Sequence, residues 1–400
     1  MKILMIAPTP FFSHRGTHIR ILEEARALEY LGHDVAIVTY HNGDDITRYI
    51  STKIDVRRIR RWLFWYKKTE AGADWQKVLL NVFLIKKTIY MTRTFRPDVV
   101  HAHLHEGILI GWIVQKIFFW RKFLLVADFH GSLVNEMRSH GYLSMPPLGT
   151  IFRIVEKWIN GMGDRAVVSG EENVSLIKDA RKDHCAEYVW DGVNARTYQG
   201  LPDRSTLRKK YHVPVDAFIV VYTGALIQNK GVQHVLDAIA STRERIADVH
   251  FVIGGYPDEW VRAFIKEHGL NDCVTVISPL NYFALAEVNS LSDVAIDPKD
   301  AQVQQASGKI LQYMAAHVGI ICADRPTNHK YLSPDSAQFL STVDAYTLTE
   351  AIMRFYVDRA FLDVCAQHAF RDVQEFDWSV IGRKLDEIYH SDGLTCNLGA

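Results

Sequence analysis

Short apolar runs alternate along this chain with stretches whose apolar residues recur at helical spacing. Lys2–Ala7 and Val35–Thr39 read as buried strands. Between them, Ile19, Leu22, Ala25 and Leu28 mark the inner face of a helix. Pro97–His103, Leu124–Phe129 and Ala166–Val168 continue the strand series. The alternation restarts beyond the polar stretch Ala195–Asp203, which contains Gly200 and Pro202. Ala217–Thr223, Val249–Ile253, Val274–Ile277, Asp293–Pro298 and Val318–Ala323 read as strands separated by helices. Such β-α-β alternation predicts an α/β fold with two Rossmann-like, doubly wound parallel sheets. The domains are expected at residues 1–195 and 203–375, with a helix and a loose tail over 376–400.

Four hundred residues, 48% hydrophobic and 23% charged, fit an ordinary globular chain with two cores. The formal net charge is zero but unevenly spread. Residues 1–190 hold 27 Lys and Arg against 20 Asp and Glu, a balance of +7, and the remainder carries the opposite excess. Five scattered cysteines, with no Cys-x-x-Cys pair, give a poor disulfide framework and no zinc site. A reducing, cytoplasmic setting is expected. Met1–Ala7 is too short for a signal peptide, and no apolar run is long enough to span a bilayer.

Two basic-aromatic clusters change this picture. Arg57–Lys68, RRIRRWLFWYKK, interleaves six cations with aromatic residues and contains no acid. Ile117–Leu125, IFFWRKFLL, is a second such cluster. Rings and cationic tips together suit a membrane–water interface. Arg60, Arg61, Trp62 and Trp65 are therefore candidate membrane contacts on an anionic surface; nucleic acid is not expected as a partner.

In an open parallel sheet, residues just beyond the strand C-termini line the ligand crevice. Here these are the Pro8–Gly16 loop, His101 and His103, His130-Gly131 and Ser169-Gly170. No Gly-x-Gly-x-x-Gly is present, so a nicotinamide enzyme is not indicated. In the second half, Ser307-Gly308-Lys309 opens a helix, a place where free N–H groups and the helix dipole favour an anion.

The stretch Lys309-Ile-Leu-Gln-Tyr-Met-Ala315 resembles the signature helix of retaining GT-B glycosyltransferases of the family 4 type. The likeness extends to His130-Gly131, the turn Trp190-Asp-Gly-Val-Asn194, Gly224…Lys230-Gly231 and Phe376-Asp-Trp378. It implies two domains facing across a cleft and a crossover helix, within 376–400, returning to the first domain. It also implies transfer of a sugar from a nucleoside-diphosphate sugar to an acceptor hydroxyl with retention, without a metal or other cofactor. By that resemblance, His130 touches the donor sugar and is the candidate catalytic residue, while Gly16, Gly224, Lys230, Gln304, Ser307, Gly308, Lys309 and Gln312 bind the donor.

Three positions depart from the family pattern. Gln304 and Gln312 stand where it has glutamates, and Ala225 where it has a phosphate-binding arginine. Glutamine keeps an acceptor but loses charge-assisted strength. Cell-envelope polysaccharide or glycolipid synthesis on the inner membrane face is the expected setting, with a glycan or lipid-linked acceptor. Two alternatives follow from the departures and the fold: a non-catalytic GT-B partner subunit that binds glycan or lipid, and a sugar-nucleotide epimerase.

Overall fold

The computed structural model describes residues 1–68, 75–139, 146–227, 230–299 and 307–391. Gln304 lies outside them. The chain forms two compact units, Met1–Asp191 with Trp378–Ala400, and Gly192–Asp377.

In the first unit, strands β1 (Lys2–Ala7), β2 (Asp34–Thr39), β3 (Asp55–Arg58), β4 (Val99–His103), β5 (Leu124–Phe129), β6 (Arg165–Val168) and β7 (Glu187–Tyr188) build one sheet. Its order is β3-β2-β1-β4-β5-β6-β7. The pairings are parallel throughout. Helices α1 (Gly16–Tyr30), α2 (Trp75–Thr94), α3 (Leu104–Ile117), α4 (Leu133–Ser139), α5 (Pro146–Asn160) and α6 (Val174–Ala180) connect the strands. The strands are apolar on both faces because helices cover both. Leu4, Val38, Val100, Leu125 and Val168 meet Leu84 of α2, Ile108 of α3, Ile159 of α5 and Ile177 of α6 in one core.

The second unit begins with α7 (Ala195–Gln199) and α8 (Arg204–Lys210). Its strands are β8 (Phe218–Ala225), β9 (Val249–Tyr256), β10 (Val274–Ile277), β11 (Val294–Asp297), β12 (Gly319–Ala323) and β13 (Gln338–Leu340). They form a parallel sheet in the order β10-β9-β8-β11-β12-β13. Its helices are α9 (Val232–Arg245), α10 (Glu259–Glu267), α11 (Leu285–Ser290), α12 (Gly308–Ala315), α13 (Ala345–Val357) and α14 (Arg359–Asp372). The last helix, α15 (Trp378–His390), belongs to the first unit and packs on α1. Gly382 allows that approach: a Cβ there would lie 2.7 Å from the Ala27 side chain.

The basic-aromatic stretch is not one amphipathic element. Its first two residues end β3; the rest is an irregular turn that buries Ile59, Leu63 and Tyr66 and exposes Trp62, Phe64 and Trp65. Trp62 stacks on Phe83 of α2, and the Trp65 indole donates to the Gln76 side chain at 2.9 Å. One cysteine departs from the expected free thiols. Cys185 is disulfide-bonded, whereas Cys273, Cys322 and Cys365 are free and buried.

Candidate functional site

In the second unit the strand order reverses between β8 and β11, and both strands end in polar groups. Gly224 sits at the end of β8 with φ near +146°. A Cβ there would press on the Lys309 ammonium at 3.1 Å. Asp297 closes β11 and is buried. Its carboxylate lies 3.6 Å from Lys309 Nζ and 3.6 Å from Arg325 Nη2. Lys309 also stands 4.2 Å over the Tyr222 ring.

Two more cations join them. Burial and repulsion from Lys309 push the Lys230 ammonium below its ordinary range, against the pull of Asp297. Burial and repulsion from Lys230, Arg325 and Lys309 bring Lys299 down to about 8, again against Asp297. Lys309 and Arg325 thus stand beside the Asp297 carboxylate, and Lys230 and Lys299 lie near enough to feel it and the other cations. Among the described residues, four cations gather near one buried carboxylate beside the first turn of α12, a place where a multiply charged anion is stabilised.

Local backbone explains the convergence. Gly231 adopts φ near +75°, which favours glycine, and caps α9. A Cβ on it would lie 2.2 Å from the Pro298 carbonyl oxygen. The Lys230 turn therefore packs directly on the residue before Lys299. Ser307 precedes α12 in extended conformation, and its buried side chain makes no capping bond. Gln312, one helical turn on, accepts a 2.7 Å hydrogen bond from the Tyr198 hydroxyl. Tyr313 anchors the same helix: Thr223 N–H on β8 donates to its hydroxyl at 3.0 Å.

Lys230, Lys309, Gly224, Ser307 and Gly308 were visible as sequence motifs, and the fold gathers them at the ends of β8 and β11. Lys299, Arg325 and Asp297, which join them, were not singled out in the sequence. Lys299 looks like an ordinary loop cation in sequence. The only available signal was its place directly after Asp297-Pro298, at the end of a predicted strand.

The first unit reverses its strand order between β1 and β4, and a buried polar cluster lies there. His130 Nε2, beyond β5, is 3.1 Å from Asp128 Oδ2 and 3.2 Å from His103 Nδ1. His103 Nδ1 is itself 3.0 Å from Asp128, and its ring stacks on His101 at 4.5 Å. His101 bonds the Tyr389 hydroxyl of α15. Arg20 of α1 completes the cluster, 2.9 Å from Glu24 and 3.6 Å from Asp128.

Charge is partitioned unevenly in this cluster. Burial would raise the Asp128 carboxyl, but Arg20, His130 and hydrogen bonds from His101 and His103 hold it well below the usual carboxylate range. Burial, with Asp128 and Asp191 nearby, pushes Glu24 well above that range despite Arg20. Burial and repulsion from His101 bring His103 down to about 3. The pattern is an ionised Asp128 facing Arg20 beside a neutral His103. Glu24, His101, His103 and Asp128 are close enough to hold a metal ion. Arg20 already supplies the positive charge there.

Gly16 is the first residue of α1, with Arg15 as the capping residue, and a Cβ at Gly16 would meet nothing within 4 Å. Arg60 and Arg61 are exposed on the turn after β3. The described residues hold no helix long and apolar enough to cross a membrane.

Two families match this chain. Glycosyl transferases group 1 matches residues 203–372, and the Glycosyl transferase 4-like domain matches residues 15–181. The α-D-kanosaminyltransferase of Streptomyces kanamyceticus is 24% identical over 280 residues, covering 66% of this chain and 71% of that one. Among solved structures, Anabaena HepE in complex with UDP and glucose superposes with a TM-score of 0.73 at 16% identity, covering 98% of this chain and 100% of that one. Sucrose-phosphate synthase of Thermosynechococcus elongatus gives 0.72 at 18% identity, covering 97% and 98%.

Proposed function

Because the chain belongs to the glycosyl transferases of group 1 and has the GT-B fold, we propose that it uses a nucleoside-diphosphate sugar held by its second unit. The observation that carries this reading is the set of four cations around Asp297. Their mutual repulsion is relieved when a diphosphate arrives. Lys299 and Arg325 offset the charge missing at Ala225. HepE, whose fold this chain shares, is described as a complex with UDP and glucose, so UDP-sugars are the first donors to consider.

In the proposed reaction the bond from the anomeric carbon to the diphosphate oxygen breaks. A bond to the acceptor oxygen forms on the same face, and the acceptor proton passes to the departing diphosphate. Retention follows from that geometry. Lys230, Lys299, Lys309 and the start of α12 stabilise the charge on the leaving group, a role metal ions fill in other transferases. His130 contacts the donor sugar, and Asp128 and His103 fix its ring. The acceptor binds the first unit. Its basic surface, with Arg60, Arg61, Trp62 and Trp65 exposed, supports a peripheral place on the cytoplasmic face of the membrane and a role in cell-envelope glycan or glycolipid synthesis.

Thermal shifts with UDP, GDP, ADP, TDP and CDP, with and without EDTA, test the donor site. A nucleotide at 100 times its Kd should raise Tm by roughly 5–10 °C. The shift should persist in EDTA and vanish in Lys230→Ala and Lys299→Ala. No shift with any nucleotide would refute the donor site. Nucleotide binding without any transfer or donor hydrolysis would favour a non-catalytic partner, the reading that Gln312 and Ala225 allow.

A further inference from the structure

Helix α5 carries Ile151, Ile154, Val155 and Trp158, the i, i+3, i+4, i+7 stripe that normally faces a core. Here the stripe faces outward: Ile151 is 53% exposed, Ile154 65% and Trp158 54%. The edge that turns inward carries two buried polar residues beside Ile159. Glu156 is buried, accepting from Ser132 Oγ at 2.8 Å and from Val134 N at 3.3 Å. Asn160 is buried and bonds His105 at 3.2 Å. The helix is thus docked through Glu156, Ile159 and Asn160, with the stripe of Ile151, Ile154 and Trp158 left open.

The neighbouring helices continue the surface. Helix α3 packs against both α5 and α2. Its Trp112 meets Trp158 at 5.6 Å between ring centres, with Lys116 over the Trp112 ring. Helix α2 exposes Val78, Leu79, Val82 and Tyr90. The charges on this layer are of one sign. Lys86, Arg93, Lys116, Arg153 and Lys157 are exposed. The three helices contain only two acids, Glu106, half-buried, and Glu156, buried.

We infer that the outer surface of α2, α3 and α5 is a docking face for an anionic phospholipid bilayer, and that the acceptor is an amphiphile presented from that bilayer. A second copy of this chain is a poor occupant. A two-fold contact would bring these cations against their own counterparts, with no exposed acid on the three helices to pair them. An anionic surface satisfies both features: the rings and aliphatic side chains enter the interface, and the Lys and Arg tips meet headgroups. The inference goes past the Arg60–Trp65 turn, because it places the contact on α5. That helix is bonded through Glu156 to Ser132, two residues from His130. A lipid-held acceptor would arrive beside the His130 loop. The acceptor class rests on the transferase reading above; the docking face does not.

The test is co-sedimentation with vesicles of phosphatidylglycerol and phosphatidylethanolamine, against pure phosphatidylcholine, at 0.1 M and 1 M salt. Wild-type protein should pellet with the anionic vesicles at least tenfold better, and high salt should remove most of that advantage, since the screening length falls from about 10 Å to about 3 Å. Ile151→Ser/Ile154→Ser/Trp158→Ser should lose at least tenfold in binding while keeping its circular dichroism, its nucleotide thermal shift and its donor hydrolysis. Transfer to a lipid-linked acceptor should fall in that variant, and transfer to a short soluble analogue should not. A triple variant that pellets like wild type overturns the docking face. So does equal binding to phosphatidylcholine, or a lipid-free dimer that the triple substitution dissolves. Should the triple variant unfold, Arg153→Glu/Lys157→Glu replaces it, and unchanged anionic binding there is equally fatal. Loss of the nucleotide shift in wild type, with vesicle binding intact, would strike the donor reading alone.

Discussion

Gly231 and the Pro298 carbonyl are in direct backbone contact: a Cβ on Gly231 would stand 2.2 Å from that oxygen. The contact brings the Lys230 turn against the strand end that carries Asp297 and Lys299. Left-handed backbone at φ near +75° adds a second reason for glycine. It costs other L-residues roughly 1–2 kcal/mol even without a clash. Gly231→Ala should therefore move the turn. The expected result is a Tm lowered by several degrees and a nucleotide-induced shift reduced more than proportionately. A full nucleotide shift in this variant would show that Lys230 does not reach the diphosphate.

In the proposed donor site, Lys299 should give binding a pH dependence. Its ammonium is depressed to about 8, first by burial and then by Lys230, Arg325 and Lys309. It is charged below that value and increasingly neutral above it. A diphosphate favours the charged form, so binding should take up a proton near pH 8 and weaken as pH rises to 9. Lys299→Arg keeps its charge throughout this range. Calorimetric titration between pH 7 and 9 should show affinity falling in wild type and flat in Lys299→Arg. Parallel curves would remove Lys299 from the site.

Gln312 is held by Tyr198 at 2.7 Å. A glutamate there would keep that hydrogen bond and, in the proposed donor site, would offer a charged acceptor to the ribose hydroxyls. Gln312→Glu should tighten nucleoside diphosphate binding by about threefold to tenfold. Inorganic pyrophosphate binding should not improve. Equal gains for both ligands would place residue 312 near phosphate rather than ribose. No gain for either would mean that the Tyr198 contact keeps it from the ligand.

Acid should destabilise the first unit through its neutral histidines. Burial, with repulsion from Arg15, Lys77 and His130, takes His18 from 6.5 to about 3. His103 is depressed to a similar value, chiefly by burial. The unfolded chain therefore binds more protons than the folded chain between pH 6.5 and 3. The stability these neutral rings confer is complete above about 6.5 and declines as pH falls toward 3. Each contributes a slope of up to about 1.4 kcal/mol per pH unit. His18 Nδ1 accepts from Ser13 N–H at 2.9 Å, a bond Asn can mimic. Urea melts at pH 7, 5.5 and 4.5 should show a shallower pH slope in His18→Asn than in wild type. An unchanged slope would exclude His18 as a contributor.

Periodicity in the sequence determined the central strands of both sheets and the two-sheet architecture, because alternating β and α segments can bury their apolar faces in few ways, but the short strands β3, β7 and β13 were not read from it. Strand ends and helix starts, where such folds present polar groups, marked His130 and the Ser307–Lys309 turn, and the family resemblance added Gly224 and Lys230. Three things were decided only in three dimensions. Lys299 and Arg325 join Lys230 and Lys309 because β11 and β12 are adjacent and Gly231 packs on Pro298, long-range contacts with no local signature. Asp128 carries the cluster around His130, yet within the apolar run of β5 it reads as an isolated acid. The stripe on α5 has the same spacing as a core stripe, and periodicity gives the angle between residues, not the side that faces the sheet. Ser132, His105 and the buried Glu156 and Asn160 settled that side. Together with the core residue Ile159 they hold that edge of α5 inward and leave Ile151, Ile154 and Trp158 exposed.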